Sequence, residues 1–216
     1  MHKAESILNN MPAFFTLNQL AYRLGKNIAS PKDNSTLRTT LKRWRERKLV
    51  KNAGPKVPVY YNLAKDPEAQ KKNLERVLLH LYPSAVLVGS SALNENSATT
   101  QIPHRITFAV NRNYGTQAIR SIPDIFGAKG VIRTQAWFDK VRPHIIPGHG
   151  EFRTLDAEMA LADAYTYRDT WVPDPDDLEI EAIDYERLIT CFEAMETRVP
   201  EALNEALEDQ LPSLSF

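Results

Sequence analysis

Leu37, Leu41 and Trp44 fall at i, i+4 and i+7, and most residues between them are polar or cationic. That spacing predicts a helix over residues 35–49 with one apolar stripe. Arg38, Lys42 and Arg45 repeat the spacing one step round the helix, and Thr39, Arg43 and Arg47 lie beside them. The helix therefore docks on a core through one side and presents a wide basic face on the other. Asn34 or Ser35 offers a side-chain oxygen for the N-cap, and Pro31 upstream keeps the lead-in non-helical. A merely solvated basic face is the plain alternative, and the flanking pattern weighs against it.

Residues 3–10 predict a short helix with Ala4, Ile7 and Leu8 inward, ended by Pro12. Phe14, Phe15 and Leu17 form a small apolar cluster. Thr16 or Asn18 then caps a second helix over residues 19–24, which Gly25 closes. A polar loop, residues 26–34, leads into the basic helix. Leu49-Val50 and residues 57–63, VPVYYNL, are two β-like runs separated by a turn at Ala53-Gly54-Pro55, which predicts a hairpin. Helix, helix, basic helix and hairpin is the order of a winged helix-turn-helix, in which the second helix braces the third against the major groove.

The rest of the chain changes character. Residues 64–76 are polar and begin a linking helix that continues through Val77, Leu78, Leu79 and Leu81 until Pro83 stops it. Ala85 to Val88 predicts a buried strand feeding Gly89-Ser90-Ser91 and a short helix. Ile106 to Val110 predicts a second strand. Val131-Ile132 and Trp137-Phe138 predict further short strands or edges. Residues 155–165 predict a helix with Leu155, Met159, Leu161 and Ala162 inward, and Thr154 or Asp156 near its start. Asp174 to Asp177 make a turn, and residues 188–195 and 202–211 give the last helices. The expected fold is α+β: a winged helix-turn-helix over residues 1–63, a linking helix over 64–82, and a mixed α/β domain with an acidic helical tail over 83–216.

Composition adds bounds. The 216 residues are 43% hydrophobic and 25% charged, ordinary values for a globular chain with a real core. No run of 18 apolar residues is present, and the N-terminus lacks the pattern of a signal peptide, so a cytoplasmic location with no membrane partner is the expectation. The one cysteine, Cys191, excludes an internal disulfide and a Cys-cluster metal site. Net charge is zero but unevenly spread. Residues 1–63 carry 12 Lys+Arg against 3 Asp+Glu (+9), residues 64–150 carry 11 against 6 (+5), and residues 151–216 carry 4 against 18 (−14). The basic head suits a polyanion. The acidic tail suits either a basic protein surface or plain solvation.

Double-stranded DNA is the polyanion that fits a basic helix of groove width beside a hairpin. Thr36, Arg38, Thr39, Lys42 and Arg43 are the candidates for base edges and the nearest phosphates. Arg45, Arg47, Lys48, Lys51 and Lys56 read as backbone contacts, whose binding would weaken with salt. Trp44 belongs to the core. The loop before the basic helix is longer than the usual turn of this motif.

Strand, Gly-Ser, helix and strand is the layout of a nucleotidyltransferase core, whose metal ions need paired carboxylates on the second strand. Residues 104–110 there, HRITFAV, hold no Asp or Glu. Gly89-Ser90-Ser91 lacks the spaced glycines and lysine of a phosphate loop, which leaves a tight strand-to-helix turn. His144, His149 and Glu151 lack a defined ligand spacing and predict a surface loop. Asp174, Asp176, Asp177 and Glu179 lack the glycine and the final glutamate of a calcium loop. Cys191 sits between Ile189 and Phe192 in a core-like helical context. No enzymatic activity, cofactor or metal is expected.

The basic head, then LVGSSALNENSATTQIPHRITFAVNR (87–112), then FRTLDAEMALADAYTYRDTWVPDPDDLEIE (152–181), resembles the AbiEi family in order. Leu87–Leu93, Thr100–Val110 and Leu155–Ala164 carry the likeness. Asn94 to Ala98 stands where the family has His-Gly-Leu. These are antitoxins and transcriptional regulators of type IV abortive-infection toxin–antitoxin pairs. The resemblance implies a head that represses its own operon at an operator of double-stranded DNA. It implies a C-terminal domain that counteracts a nucleotidyltransferase-like toxin without requiring a stable complex. The other expectation is a winged-helix regulator whose C-terminal domain senses a ligand or dimerises, with no toxin.

Overall fold

The computed structural model describes residues 3–114 and 117–208, in a mixed α and β arrangement of helices and three sheets. It divides into two compact units. Among the described residues, the first holds 3–81 and 123–126, and the second holds 82–114, 117–122 and 127–208.

The first unit runs α1 (Lys3–Asn9), β1 (Phe14–Thr16), α2 (Leu17–Arg23), α3 (Pro31–Glu46), β2 (Val50–Asn52), β3 (Val59–Asn62) and α4 (Ala69–Leu81). Ile7 and Leu8 pack into its core, and the side chain of Ala4 lies outside the described residues. Phe14 and Phe15 are more than an apolar cluster. They form a strand whose register Phe14 to Tyr61 and Thr16 to Val59 places it beside β3, giving the antiparallel order β1-β3-β2. α2 starts at Leu17 because Thr16 caps it in a reciprocal box: Thr16 Oγ1 accepts from the Gln19 N–H at 3.2 Å, and Gln19 Oε1 accepts from the Thr16 N–H at 2.8 Å. Gly25 follows at φ +61, the left-handed backbone that glycine adopts freely.

α3 begins at Pro31, four residues before the expected start. Ser30 is the N-cap, and Pro31 takes the first helical position, where its missing N–H is no loss. Asn34 lies inside the helix. Leu37, Leu41 and Trp44 are buried with Leu8, Met11, Phe15, Leu20 and Val50 in one cluster. Each such side chain contributes about 1.5–3 kcal/mol on burial. Asn62 ties the sheet to the end of α1, donating through Nδ2 to Leu8 O at 2.7 Å and Pro12 O at 3.2 Å. α4 packs on β3 and β1, so the helix expected to link two domains is a layer of the first unit.

The second unit carries β4 (Val86–Leu87), α5 (Gly89–Glu95), β5 (Ile106–Asn111), a small ribbon of β6 (Asn113–Tyr114) with β7 (Gln117–Ala118), β8 (Ala128–Arg133), α6 (Gln135–Val141), β9 (Ile145–Pro147), β10 (Arg153–Leu155), α7 (Ala157–Tyr167), α8 (Tyr185–Ala194) and α9 (Glu201–Glu208). Its main sheet has the order β8-β5-β4-β10-β9. β4 is antiparallel to β5 and parallel to β10. Trp137 and Phe138, expected on strand edges, lie in α6. Thr134 caps that helix by accepting from the Trp137 N–H at 3.2 Å, and Val141 one turn on completes its inner face. α7 begins at Ala157, with Leu155 left in β10. The Asp156 carboxylate accepts from the Met159 N–H at 3.0 Å and fixes that boundary. Residues 157–164 of α7 are all buried, which makes it the central helix, packed on α5 and α8. Of the expected last helix, residues 209–211 lie outside the described residues.

Candidate nucleic-acid interface

The basic face begins with how α3 is held. Asp33 in its first turn accepts from Lys26 Nζ and from the Asn27 N–H, both at 3.0 Å. The Asn27 N–H, then Lys26, hold its carboxyl below the usual carboxylate range. Asn34 donates to Ile28 O at 3.3 Å and accepts from Arg38 Nε at 2.9 Å. The chain from α2 thus turns back through residues 24–30 and is pinned by side chains, not by a short turn. At the other end Lys48, at φ +55, breaks the helix, and the Leu49 N–H returns to Trp44 O at 2.9 Å.

With the apolar stripe buried, Thr36, Arg38, Thr39, Lys42, Arg43, Arg45 and Arg47 are all exposed. The structure brings them to one helix, with Arg47 as its C-cap residue. Thr36 Oγ1 is committed to Lys32 O at 3.0 Å, which leaves its hydroxyl oxygen to the outside only as an acceptor. Lys42 Nζ lies 4.0 Å from Glu46 Oε1, an exposed pair that adds little stability. Lys51 projects from β2. Lys56 sits in the loop between β2 and β3 with φ +61, and both are exposed.

Between α3 and the hairpin lies a cleft of about 350 Å³ lined by Arg38, Arg45, Asn52, Lys56 and Tyr60, among others. Burial raises the Tyr60 hydroxyl pKa, against the pull of Arg45 and Arg38. Asn52 Oδ1 is buried there without a hydrogen-bond partner among the described residues. The pattern VPVYYNL makes Tyr60 a strand residue but does not show that it faces this cleft. The hairpin is further braced by residues 123–126, which belong to this unit. The Phe126 N–H donates to Ala53 O at 2.9 Å, and Lys51 Nζ lies 5.8 Å from the centre of the Phe126 ring. Nothing local in the sequence marks that segment. The face as a whole is cationic and is carried by α3 and the hairpin.

In the second unit, Gly89 stands at φ +55 in the turn from β4 to α5, and a Cβ there would meet Thr170 Oγ1 at 2.9 Å. His144 and His149 separate. His149 is exposed beside Glu95. His144, expected in a surface loop, ends a 3-10 turn (Arg142–His144) and is largely buried, with Nδ1 2.9 Å from Asp156 Oδ2. Cys191 is fully buried, and burial, then Asp156, push its thiol up to about 12.

No protein-family model and no curated protein matches this sequence. Among solved structures the chain is similar to a protein described as the crystal structure of RV2827C protein from Mycobacterium tuberculosis. The similarity has a TM-score of 0.58 at 15% identity and covers 95% of this chain and 74% of that one. At that identity it is a likeness of fold.

Proposed function

We propose that the first unit is a winged helix-turn-helix that binds double-stranded DNA. We propose further that the chain is an AbiEi-type antitoxin that represses its own operon and counteracts a nucleotidyltransferase-like toxin. The observation that carries the DNA reading is α3 itself, which buries Leu37, Leu41 and Trp44 and turns its Arg and Lys side chains outward. The element order and the β1-β3-β2 sheet support the wing reading. In this reading α3 lies in the major groove, with Arg38, Thr39, Lys42 and Arg43 toward base edges. Arg45, Arg47, Lys51 and Lys56 hold phosphates and set the register. The antitoxin half rests on the sequence resemblance over residues 87–112 and 152–181.

Two experiments test the two halves. Fluorescence anisotropy with duplex DNA from upstream of the gene should show binding that the triple variant R38A/K42A/R43A loses while its thermal midpoint stays put. Retained binding would show that another surface holds the DNA. Co-expression with the gene immediately downstream should show growth arrest relieved by this protein. A harmless neighbour, or arrest that persists, leaves a DNA-binding regulator without a toxin.

A further inference from the structure

The second unit holds a cluster that the DNA reading does not use. A ring nitrogen of His144, a carboxylate oxygen of Asp156 and Cys191 Sγ all lie within 4.8 Å of one another. His144 Nδ1 is 2.9 Å from Asp156 Oδ2, and Cys191 Sγ is 3.7 Å from Nδ1 and 4.0 Å from Nε2. Zinc bonds of roughly 2.0–2.3 Å in a tetrahedral site place ligand atoms about 3–4 Å apart, a range the Nδ1–Oδ2 and Nδ1–Sγ spacings approach. Sγ lies beside the ring at nearly equal distance from both nitrogens, so the imidazole turns to aim a nitrogen at the ion. The donors are also firmly mounted. The Asp156 N–H donates to His144 O at 2.9 Å, so the two ligands share one backbone link. Asp156 spends Oδ1 on the cap of α7 and leaves Oδ2 for the cluster. Cys191 is fully buried on α8.

The charge around these donors is unbalanced in favour of a cation. Asp156 and Glu158 are buried, with side-chain exposures of 8% and 5%, and they share Arg187, whose side chain is 55% exposed. Arg187 Nη2 reaches Asp156 Oδ2 at 2.7 Å and Glu158 Oε2 at 3.6 Å. Buried carboxylates require a paired charge or a metal, and a half-exposed guanidinium on a long stem can leave for water. Glu158 Oε1 accepts the Asp184 N–H at 2.9 Å, so its second oxygen faces only Arg187 among the described residues.

We propose that His144, Asp156 and Cys191 form a binding site for a thiophilic divalent cation of the zinc class, in which the ion displaces Arg187. The fourth position falls to water. Binding breaks the Cys191 S–H bond, releases that proton to solvent and forms a metal–sulfur bond. The His144 nitrogen that takes the ion gives up its own proton, to the other ring nitrogen or to solvent, and no oxidation state changes. The mix of thiolate, imidazole and carboxylate selects zinc over magnesium or calcium. A bound ion would clip α8 to the β10–α7 junction and so stabilise the second unit.

The full chain is titrated with Co2+ under reducing conditions, followed by Zn2+. One equivalent should give the near-ultraviolet thiolate-to-cobalt band, which zinc then erases. Cys191→Ser should remove the band and weaken zinc binding by about tenfold or more. Arg187→Ala should tighten it, because the competing cation is gone, whereas stray binding at exposed histidines would not respond. Arg187→Ala leaves two buried carboxylates without their cation, so its thermal midpoint should fall and zinc should restore it, a readout that holds even if Cys191→Ser folds poorly. Absence of the thiolate band in both the wild type and Arg187→Ala overturns the proposal.

Discussion

The indole N–H of Trp137 donates to Asp163 Oδ1 at 2.7 Å, in the interior of the second unit. The same carboxylate accepts Arg133 Nε and Nη2 at 3.3 and 3.2 Å, and Arg133 reaches on to Asp169 through Nη1 at 2.6 Å. Arg133 and Asp163 have side-chain exposures of 3% and 0%. Burial raises the Asp163 carboxyl, against Arg133 and Trp137, and the guanidinium is held above its own ordinary value by Asp169 and Asp163 despite burial. Asp163→Ala leaves Arg133 with Asp169 as its carboxylate partner and the buried indole N–H without its acceptor. The expected loss is about 1–3 kcal/mol in urea unfolding. Trp137→Phe, which removes only the donor and some ring volume, should cost less. Equal losses would show that packing, not the polar network, sets the value.

Acid sensitivity follows from Asp169. Arg133 holds its carboxyl below the usual range, more strongly than partial burial raises it. A lowered folded-state value means the carboxylate stabilises the fold above the ordinary carboxylate pKa of about 3.9, and that stabilisation fades as pH falls through the folded value. Asp33, Asp66 and Glu196 are shifted the same way. The gap in thermal midpoint between wild type and Asp169→Asn should therefore be widest near neutrality, begin to shrink as pH nears the ordinary carboxylate pKa of about 3.9, and close only below the lowered folded value. A gap that grows in acid contradicts the pairing.

Gly54 in the hairpin loop is placed by a backbone, not by a side chain. An added Cβ would stand 1.9 Å from Asp124 O and 2.9 Å from its carbonyl carbon. Neither atom can rotate away. Gly54→Ala should destabilise the first unit by about 1–3 kcal/mol, as overpacking does elsewhere. A denaturant midpoint that does not move would show that residues 123–126 do not dock on this loop.

That docking also shows where sequence reading stops. Leu37, Leu41 and Trp44 announce their helix because the period is local and one face is apolar. The same holds for the turn at Gly89 and for the burial of Cys191. The strand at Phe14–Thr16 was illegible because three residues show a single alternation, and its partner Tyr61 is far along the chain. Pro31 misled because proline both ends helices and starts them, and only the Ser30 cap decides between the two. His144 finds Asp156 at a separation of 12 residues and Cys191 at 47, and no spacing rule joins them. Within the basic face, the exposure of the cations was readable from the helix. The cleft they share with Tyr60 and Asn52 was not, since it needs the hairpin folded against α3.

The DNA reading makes a quantitative demand on the cations. Each phosphate neutralised by Lys or Arg releases counterions, so the logarithm of affinity falls linearly with that of salt, by a slope of about 0.9 per contact on duplex DNA. Lys51→Ala and Lys56→Ala should each lower the slope by about one, with a similar loss on specific and random duplexes. Arg43→Ala should act differently. If its fork reads a base edge, it costs about 1–3 kcal/mol on the operator and little on random DNA. Arg38 is intermediate, because Asn34 already holds its Nε and leaves only the terminal nitrogens for a base. Matching the slopes of these variants against their loss of discrimination separates groove contacts from phosphate contacts residue by residue. If Lys56→Ala erased discrimination while Arg43→Ala only changed the slope, the hairpin would be the reading element, and α3 would lie along the backbone.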